Sequence, residues 1–238
     1  MSIQVFGKNP VMEILNSDKN VFRAYVMEGT NKDIERLLFK KHIEKQVIGK
    51  QEFKRKFQGN HQGVVIEIED YKIYDLNEFL SSINTSDNPL VLMLDGITDP
   101  HNFGAIIRSC EAGGVAGIII PKNRSAKITG TVAKVSSGAI EHVKIVEVTN
   151  LRNTLNKLKD NGFWAVGTDL NAEKNYEDID VDTPLVLVIG SEGKGISKII
   201  RDNVDYNVKI NMIGKINSLN ASVSAGILIF DILRKKSK

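Results

Sequence analysis

The chain has 238 residues, of which 42% are hydrophobic and 26% are charged, and its formal net charge is +3. These values are ordinary for a globular protein and allow one large or two modest domains. The apolar runs are far shorter than the roughly 20 residues that cross a bilayer, which excludes a membrane-spanning helix. A single cysteine, Cys110, excludes an internal disulfide and a cysteine-built metal site, so we expect a cytoplasmic protein.

The first 75 residues predict a small α/β domain. Val21–Met27 and Gly63–Glu69 are rich in β-branched and aromatic residues, which favours strands. Asp33–His42 has the spacing of an amphipathic helix and follows possible capping residues. We therefore assign residues 1–75 to a separate N-terminal domain.

Positive charge is concentrated in the second half of that domain. Residues 40–56 contain seven lysines and arginines against two acidic residues, followed by the glycine-bounded loop Gly59–Gly63 with His61 inside it. Such a segment could follow a phosphate backbone, although many basic segments are simply solvated helix faces. The adjoining loop favours a surface that binds RNA.

Residues 76–88 are rich in serine, asparagine and aspartate, which predicts a linker. After Pro89 short apolar strands alternate with helices as far as the basic tail, so we assign residues 89–238 to a second domain. This alternation predicts a parallel sheet covered on both faces. Ligands of such sheets bind in the loops at the carboxyl ends of the strands.

The loop and helix after the strand Leu90–Leu94 carry the first polar motif. Asp99 followed by Pro100 is a typical helix start, and Gly113 ends the helix about three turns later. Within it Asn102 and Arg108 lie about 120° apart around the axis. Each must therefore meet groups supplied by other parts of the fold.

A glycine-rich turn, Gly190–Gly195, follows the strand Leu185–Ile189 and would let backbone amides approach a ligand. It does not match the nucleotide-triphosphate loop, because Ile196 stands where that motif requires lysine. Nor does it have the glycine order of the dinucleotide-binding turn. Both nucleotide interpretations are excluded.

The last motif opens the C-terminal helix. Ser218 is predicted to cap this helix, which we expect to extend from Leu219 to Arg234, and Asn220 lies in its first turn. Small residues there allow close approach of backbone to a bound molecule, or simply tight helix packing.

Together these three motifs, in this order and at strand-to-helix junctions, resemble the signatures of the SpoU (TrmH-like) RNA ribose methyltransferases of the SPOUT superfamily. The resemblance covers nearly the whole chain. Segments Val5–Leu15 and His61–Val65 are similar to members specific for ribosomal RNA, whose N-terminal domain is similar to ribosomal protein L30e. The resemblance implies an α/β fold with a small L30e-like domain and a C-terminal SPOUT domain containing a deep trefoil knot.

The resemblance also implies the site. S-adenosylmethionine would lie against backbone of Gly190, Ile210 and Leu219 and would be held in the knot. The polar active-site positions of the family match a further set of residues, which are Asn102, Arg108, Glu192, Ser218 and Asn220. A homodimer is implied as well, with no metal ion.

The substrate implied is a guanosine ribose in the peptidyl-transferase region of 23S rRNA, as naked RNA or within an assembling large-subunit particle. The alternatives are a tRNA ribose methyltransferase and a catalytically silent RNA-binding protein of the same fold. Arg108 is often given the role of base in this family. A guanidinium is effectively never deprotonated in proteins, so we expect Arg108 to hold a substrate phosphate.

Overall fold

The alternation of strands and helices predicted from the sequence is confirmed in the structure, a computed structural model that describes residues 2–216 and 218–237. The strands are β1 (Ser2–Phe6), β2 (Val21–Met27), β3 (Lys45–Ile48), β4 (Val64–Glu69), β5 (Ile73–Tyr74), β6 (Leu90–Asp95), β7 (Gly117–Pro121), β8 (Ile145–Val148), β9 (Trp164–Thr168), β10 (Lys174–Asn175), β11 (Leu185–Gly190) and β12 (Tyr206–Lys209). The helices are α1 (Lys8–Asn16), α2 (Lys32–Lys40), α3 (Lys50–Lys56), α4 (Leu76–Ser81), α5 (Pro100–Ala112), α6 (Gly130–Val135), α7 (Leu151–Asp160), α8 (Lys198–Arg201) and α9 (Ala221–Lys236). Within the described residues, no helix is both long and apolar enough to cross a membrane.

The chain divides into two compact units, and the first contains the residues up to Tyr71 together with residues 127–142. Its four-stranded sheet has the order β1-β4-β2-β3, in which β4 is antiparallel to both neighbours and β2 is parallel to β3. Val26 and Ile66 of the sheet and Ile34 and Leu38 of α2 are fully buried. The spacing of these apolar residues explains why α2, β2 and β4 were predictable, whereas the mostly exposed β3 was not.

Residues 127–142 complete this first unit, although we predicted one continuous domain for residues 89–238. Helix α6 packs so closely on β1 that a Cβ atom on Gly130 would lie 2.2 Å from the Gln4 carbonyl oxygen. Further along, Glu141 forms an ion pair of 3.4 Å with Lys19, and both side chains are largely buried. Burial, with the Glu141 charge nearby, raises the pKa of Tyr71, whose ring lies 3.7 Å from Lys19 Nζ. These buried contacts hold the segment in the first unit.

The second unit is built on an eight-stranded sheet of order β10-β12-β9-β11-β6-β7-β8-β5, with every pair parallel. Alternate side chains of a strand point to opposite faces, so buried β6 and β11 need cover on both sides. On one face Val91 and Val188 pack in a cluster with Leu155 of α7. On the other, α9 packs on β11 and on α5.

The segment 76–88, which we predicted as a linker, folds into the second unit. Asp75 caps α4, since its side chain accepts hydrogen bonds from the backbone N–H groups of Asn77 and Glu78. Phe79 of this helix is fully buried. A Cβ atom on Gly117 would lie 2.5 Å from the Phe79 ring, so the ring fills space that only glycine leaves open. The polar composition of the segment concealed this single anchoring aromatic residue.

Helix α9 divides its apolar residues between core and solvent. Ile229 is fully buried and presses on the end of α5, where a Cβ atom on Gly113 would lie 2.4 Å from its Cγ2 atom. Phe230 and Leu233 are 46% and 36% exposed. The helix is therefore mainly an internal packing element, and the homodimer and the trefoil knot stay predictions.

We expect Phe79→Ala to destabilise the second unit by about 3–5 kcal/mol, because it removes a fully buried ring and leaves a cavity. Trp164 is the only tryptophan of the chain and lies in β9, so its fluorescence during urea unfolding reports on this unit. Phe230→Ala removes the same atoms from a half-exposed site and should cost clearly less. An unchanged unfolding midpoint for Phe79→Ala would mean that residues 76–88 are a linker after all.

Candidate functional site

A cavity of about 240 Å³ lies in the second unit where β9, β11 and β12 end. This is the edge of the parallel sheet at which ligands are expected. The cavity is bounded by the loop after β9, the glycine-rich turn, the segment after β12 and the start of α9. Five of the predicted site residues line it, namely Gly190, Glu192, Ile210, Ser218 and Leu219.

The glycine-rich turn is shaped by its own backbone. Ser191 and Gly195 exchange two backbone hydrogen bonds of 3.2 and 2.8 Å, which fold the turn back onto the end of β11. A Cβ atom on Gly190 would lie 2.0 Å from the Gly195 carbonyl carbon, and Gly195 itself has φ +63°. Ile196 is buried in the core beneath the turn. The position at which a phosphate-binding loop would carry lysine therefore presents only an apolar side chain to the cavity.

Three predicted polar residues meet beside the cavity. Glu192 Oε1 accepts hydrogen bonds from Asn102 Nδ2 at 2.9 Å and from Asn220 Nδ2 at 2.5 Å. Asn220 Nδ2 also donates to Asn102 Oδ1 at 2.8 Å, and the backbone N–H of Ala221 donates to Glu192 Oε1 at 3.3 Å. Residues from three separate motifs thus form one hydrogen-bonded cluster, which we call the amide–carboxylate cluster (Asn102, Glu192 and Asn220).

Asn220 rather than Ser218 caps α9, which corrects our prediction. Its Oδ1 accepts from the backbone N–H groups of Ser222 at 2.9 Å and Val223 at 3.3 Å. Because the oxygen is committed to the helix end, the amide nitrogen must point toward Glu192. Ser218 lies two residues earlier and lines the cavity instead. The cap thus fixes the orientation of one amide of the amide–carboxylate cluster.

The first motif begins as predicted. The Asp99 side chain accepts a hydrogen bond from the His101 backbone N–H at 3.0 Å, and this bond lowers the pKa of Asp99. The cap sets the start of α5 and so places Asn102 in its first turn. Arg108 lies nearly two turns further along α5, is exposed, and is not among the described residues that line the cavity.

The sequence did not point to Asp169 and Arg201, although both line the cavity. They form an ion pair of 3.2 Å between Asp169 Oδ2 and Arg201 Nη1. Asp169 directly follows β9, so the rule that polar residues after parallel strands contact ligands could have found it. Arg201 ends the short helix α8, and no sequence signal marked it.

In the first unit, the loop Gly59–Gly63 is held by its own side chains. His61 Nδ1 accepts a hydrogen bond from the Gly63 backbone N–H at 3.0 Å, and its ring lies 4.7 Å from that of Phe53. Burial, helped by the charges of Lys54 and Lys134, lowers the pKa of His61, which suits the neutral acceptor form. This imidazole shapes the loop, while the basic side chains of α3 are exposed around it.

In the described part of the chain, His, Cys, Asp and Glu side chains form no group of three that could hold a metal ion. The groups at and beside the cavity include the amides of Asn102 and Asn220, the Glu192 carboxylate and the backbone of the glycine-rich turn. Such groups can orient a substrate and bind a polar organic cofactor.

Comparisons with known proteins identify the family of the chain. A model of the SpoU rRNA methylase family matches residues 89–230, and a model of the RNA 2′-O ribose methyltransferase substrate-binding domain matches residues 4–74. A Bacillus subtilis protein, YacO, described as belonging to the TrmH family of tRNA/rRNA methyltransferases, is 40% identical over 98% of this chain and 96% of its own length.

Solved structures have the same fold. The SpoU methyltransferase AviRb from Streptomyces viridochromogenes, in complex with the cofactor AdoMet, superposes with a TM-score of 0.85 at 24% identity, covering 99% of this chain and 91% of that one. The A. aeolicus TrmH/SpoU tRNA-modifying enzyme is 32% identical with a TM-score of 0.59, covering 68% of this chain and 82% of that one. The chain belongs to the SpoU, or TrmH, family of RNA methyltransferases.

Proposed function

We propose that this protein transfers the methyl group of S-adenosylmethionine to a ribose 2′-hydroxyl of RNA, at a guanosine in the peptidyl-transferase region of 23S rRNA. The observation that carries the proposal is the amide–carboxylate cluster beside the cavity. It joins the three motifs that resemble the signatures of ribose methyltransferases. A protein that only bound RNA would have no need of an ordered polar cluster beside a cavity at this edge of the sheet.

The cavity suits S-adenosylmethionine, the methyl donor of this family. Its lining combines apolar side chains for the adenine, such as Met212 and Leu228, with a glycine-rich turn whose backbone groups are accessible. The cofactor carries no phosphate, which agrees with a turn that lacks a phosphate-binding lysine. When bound, it supplies a methyl carbon made electrophilic by a sulfonium cation. Gly190, Ile210 and Leu219 are the residues that would hold it.

The protein's own side chains then orient the nucleophile. Glu192 holds the amides of Asn102 and Asn220 in one arrangement, which leaves the remaining amide and carboxylate atoms to bind the ribose. Fixing a hydroxyl in line with a reacting carbon is worth orders of magnitude in rate. We assign Asn102, Asn220 and Glu192 to this orientation, with Ser218 beside them at the cavity wall.

We assign Arg108 to holding the RNA rather than to removing the proton. It lies on α5 beyond the cluster, and its guanidinium is permanently charged. A guanidinium binds two phosphate oxygens at once and would fix the strand on which the ribose lies.

The first unit supports RNA as the substrate. Its sequence matches the substrate-binding domain of RNA 2′-O ribose methyltransferases, and Lys50, Lys54, Arg55 and Lys56 of α3 are exposed. Phosphate contacts from such residues supply affinity for RNA without sequence specificity. A separate substrate-binding unit and the His61 loop favour rRNA. tRNA is the competing substrate, and the relatives are described for both classes.

Transfer of label from methyl-labelled S-adenosylmethionine tests the proposal directly. We expect label in 23S rRNA or in a large-subunit precursor particle, at a 2′-O-methylguanosine. Its position is found from the phosphodiester bond that resists alkaline cleavage. Labelling of tRNA alone would overturn the rRNA assignment. Labelling of neither RNA, even with precursor particles, would favour a protein that binds RNA without methylating it.

We predict that Glu192→Ala lowers kcat about 100-fold, because the amides of Asn102 and Asn220 lose their common acceptor and the ribose is misplaced. Glu192→Gln keeps an acceptor oxygen at the same place and should lose less than about 10-fold. The measurement is single-turnover methyl transfer at saturating RNA and cofactor.

Glu173→Ala is the matched control, since Glu173 is an exposed carboxylate that does not line the cavity. It should leave kcat unchanged. Equal, large losses in Glu192→Gln and Glu192→Ala would show that the negative charge itself is needed, and an unchanged kcat in both would remove Glu192 from the site.

We predict that Arg108→Lys retains part of the activity, because lysine still neutralises a phosphate, whereas Arg108→Ala raises KM for RNA and lowers kcat. RNA affinity measured by filter binding should fall with Arg108→Ala while cofactor affinity does not. Complete loss of methyl transfer in Arg108→Lys, with normal binding of both RNA and cofactor, would instead identify Arg108 as the base.

A further inference from the structure

We propose that Asp169 binds the ribose hydroxyls of S-adenosylmethionine and that Arg201 is the positioning residue that holds its carboxylate in place. The inference rests on the proposed function, because it assigns a role within the same cofactor cavity. Neither residue belongs to the three motifs that define the family resemblance.

The two side chains lie on the cavity wall formed by the loop after β9 and by α8. Asp169 directly follows β9, and β9 is the hydrogen-bonded neighbour of β11, which carries the glycine-rich turn. The Asp169 carboxylate is 15% exposed and the Arg201 guanidinium is 40% exposed. Because both line the cavity, this residual exposure includes surface that a bound molecule can contact.

The Asp169 carboxylate is held by hydrogen bonds, yet some of its acceptor sites have no donor among the described residues. Its Oδ1 accepts from the Asn171 backbone N–H at 2.9 Å, and its Oδ2 accepts from Arg201 Nη1 at 3.2 Å. The Asp169 backbone N–H donates to the Val208 carbonyl at 3.0 Å, which fixes the loop to β12. An ionised carboxylate offers about four acceptor sites. Two of them therefore remain for a ligand.

A ribose diol fits these two sites because it presents two adjacent hydroxyl donors to one carboxylate. In other parallel α/β folds, a carboxylate that follows a strand near the glycine-rich turn binds ribose hydroxyls. The alternative ligand for an Asp–Arg pair is the amino-acid head of the cofactor, whose ammonium and carboxylate groups are complementary to it.

Binding of cofactor analogues distinguishes these possibilities without any methyl transfer. Titration calorimetry would compare S-adenosylhomocysteine with its 2′-deoxy and 3′-deoxy derivatives. For the unmodified protein we expect at least one deoxy derivative to bind about 10-fold or more weakly, because an acceptor of Asp169 is left without its donor. In Asp169→Ala the parent compound should weaken by a similar factor, and the deoxy derivatives should then bind as well as the parent.

Arg201→Lys keeps the positive charge but loses the planar guanidinium. It should therefore reduce the preference for S-adenosylhomocysteine over its deoxy derivatives without abolishing it. Asp202→Ala is the control, because Asp202 is next to Arg201 in sequence but is exposed and does not line the cavity. It should leave the preference for S-adenosylhomocysteine over its deoxy derivatives unchanged. Asp169→Asn is the second variant at the key position. It keeps the side-chain volume and one acceptor oxygen, so it should reduce the preference for S-adenosylhomocysteine over the deoxy derivatives without abolishing it. It serves as the test if Asp169→Ala proves too unstable to titrate.

Three results would overturn the inference. A preference for S-adenosylhomocysteine over the deoxy derivatives that stays undiminished in folded Asp169→Ala or Asp169→Asn would mean that the hydroxyls bind elsewhere. If the variants weaken S-adenosylhomocysteine but not 5′-methylthioadenosine, which lacks the amino-acid head, then Asp169 binds that head instead. Failure of the unmodified protein to bind S-adenosylhomocysteine at all would also overturn the proposed cofactor cavity, whereas the first two results leave that cavity intact.

Discussion

One carboxylate oxygen, Glu192 Oε1, connects the parts of this site. It accepts hydrogen bonds from Asn102 on α5, from Asn220 before α9 and from the Ala221 backbone. These partners are separated from Glu192 by 90, 28 and 29 residues. Two segments that are distant in sequence, at Asn102 and at Asn220–Ala221, therefore share one acceptor on a third. Because Asn220 also caps α9, the position of that helix and the shape of the site are set by the same hydrogen bonds.

The parallel sheet makes this convergence possible. Strands β6, β11, β9 and β12 are neighbours and run in one direction, so the loops after them open at one edge. The glycine-rich turn adds a local constraint, since Gly190 leaves room only for the backbone of Gly195. The glycine is thus required by the turn itself, and any contact with a cofactor follows from the turn's shape. The glycines of this motif are therefore needed for the packing of the loop as much as for binding its ligand.

Most of the second unit was predictable from its sequence, because buried parallel strands are continuous apolar runs and α5 has strong signals at both ends. The candidate residues were predictable only through their resemblance to a family. Residue spacing placed Asn102 and Arg108 on different faces but could not show that Asn102 meets Glu192. Asp169 and Arg201 were missed because their pairing depends on the order of the strands. The role of Phe79 was missed because residues 76–88 are mostly polar, and the burial of this one aromatic ring is enough to fix the segment in the second unit.

The division into units follows buried contacts rather than continuous sequence. The substrate-binding match covers residues 4–74, whereas the first unit also contains residues 127–142. That segment contributes Glu141, whose partly buried partner is Lys19, and Gly130, whose missing side chain allows α6 to lie against β1. Without that segment, Lys19 would lose its Glu141 partner and the side of β1 that α6 covers would be exposed, so we expect the first 71 residues alone to be less stable than the complete unit. The first unit is thus completed by a segment that lies, in sequence, within the region that matches the SpoU rRNA methylase family.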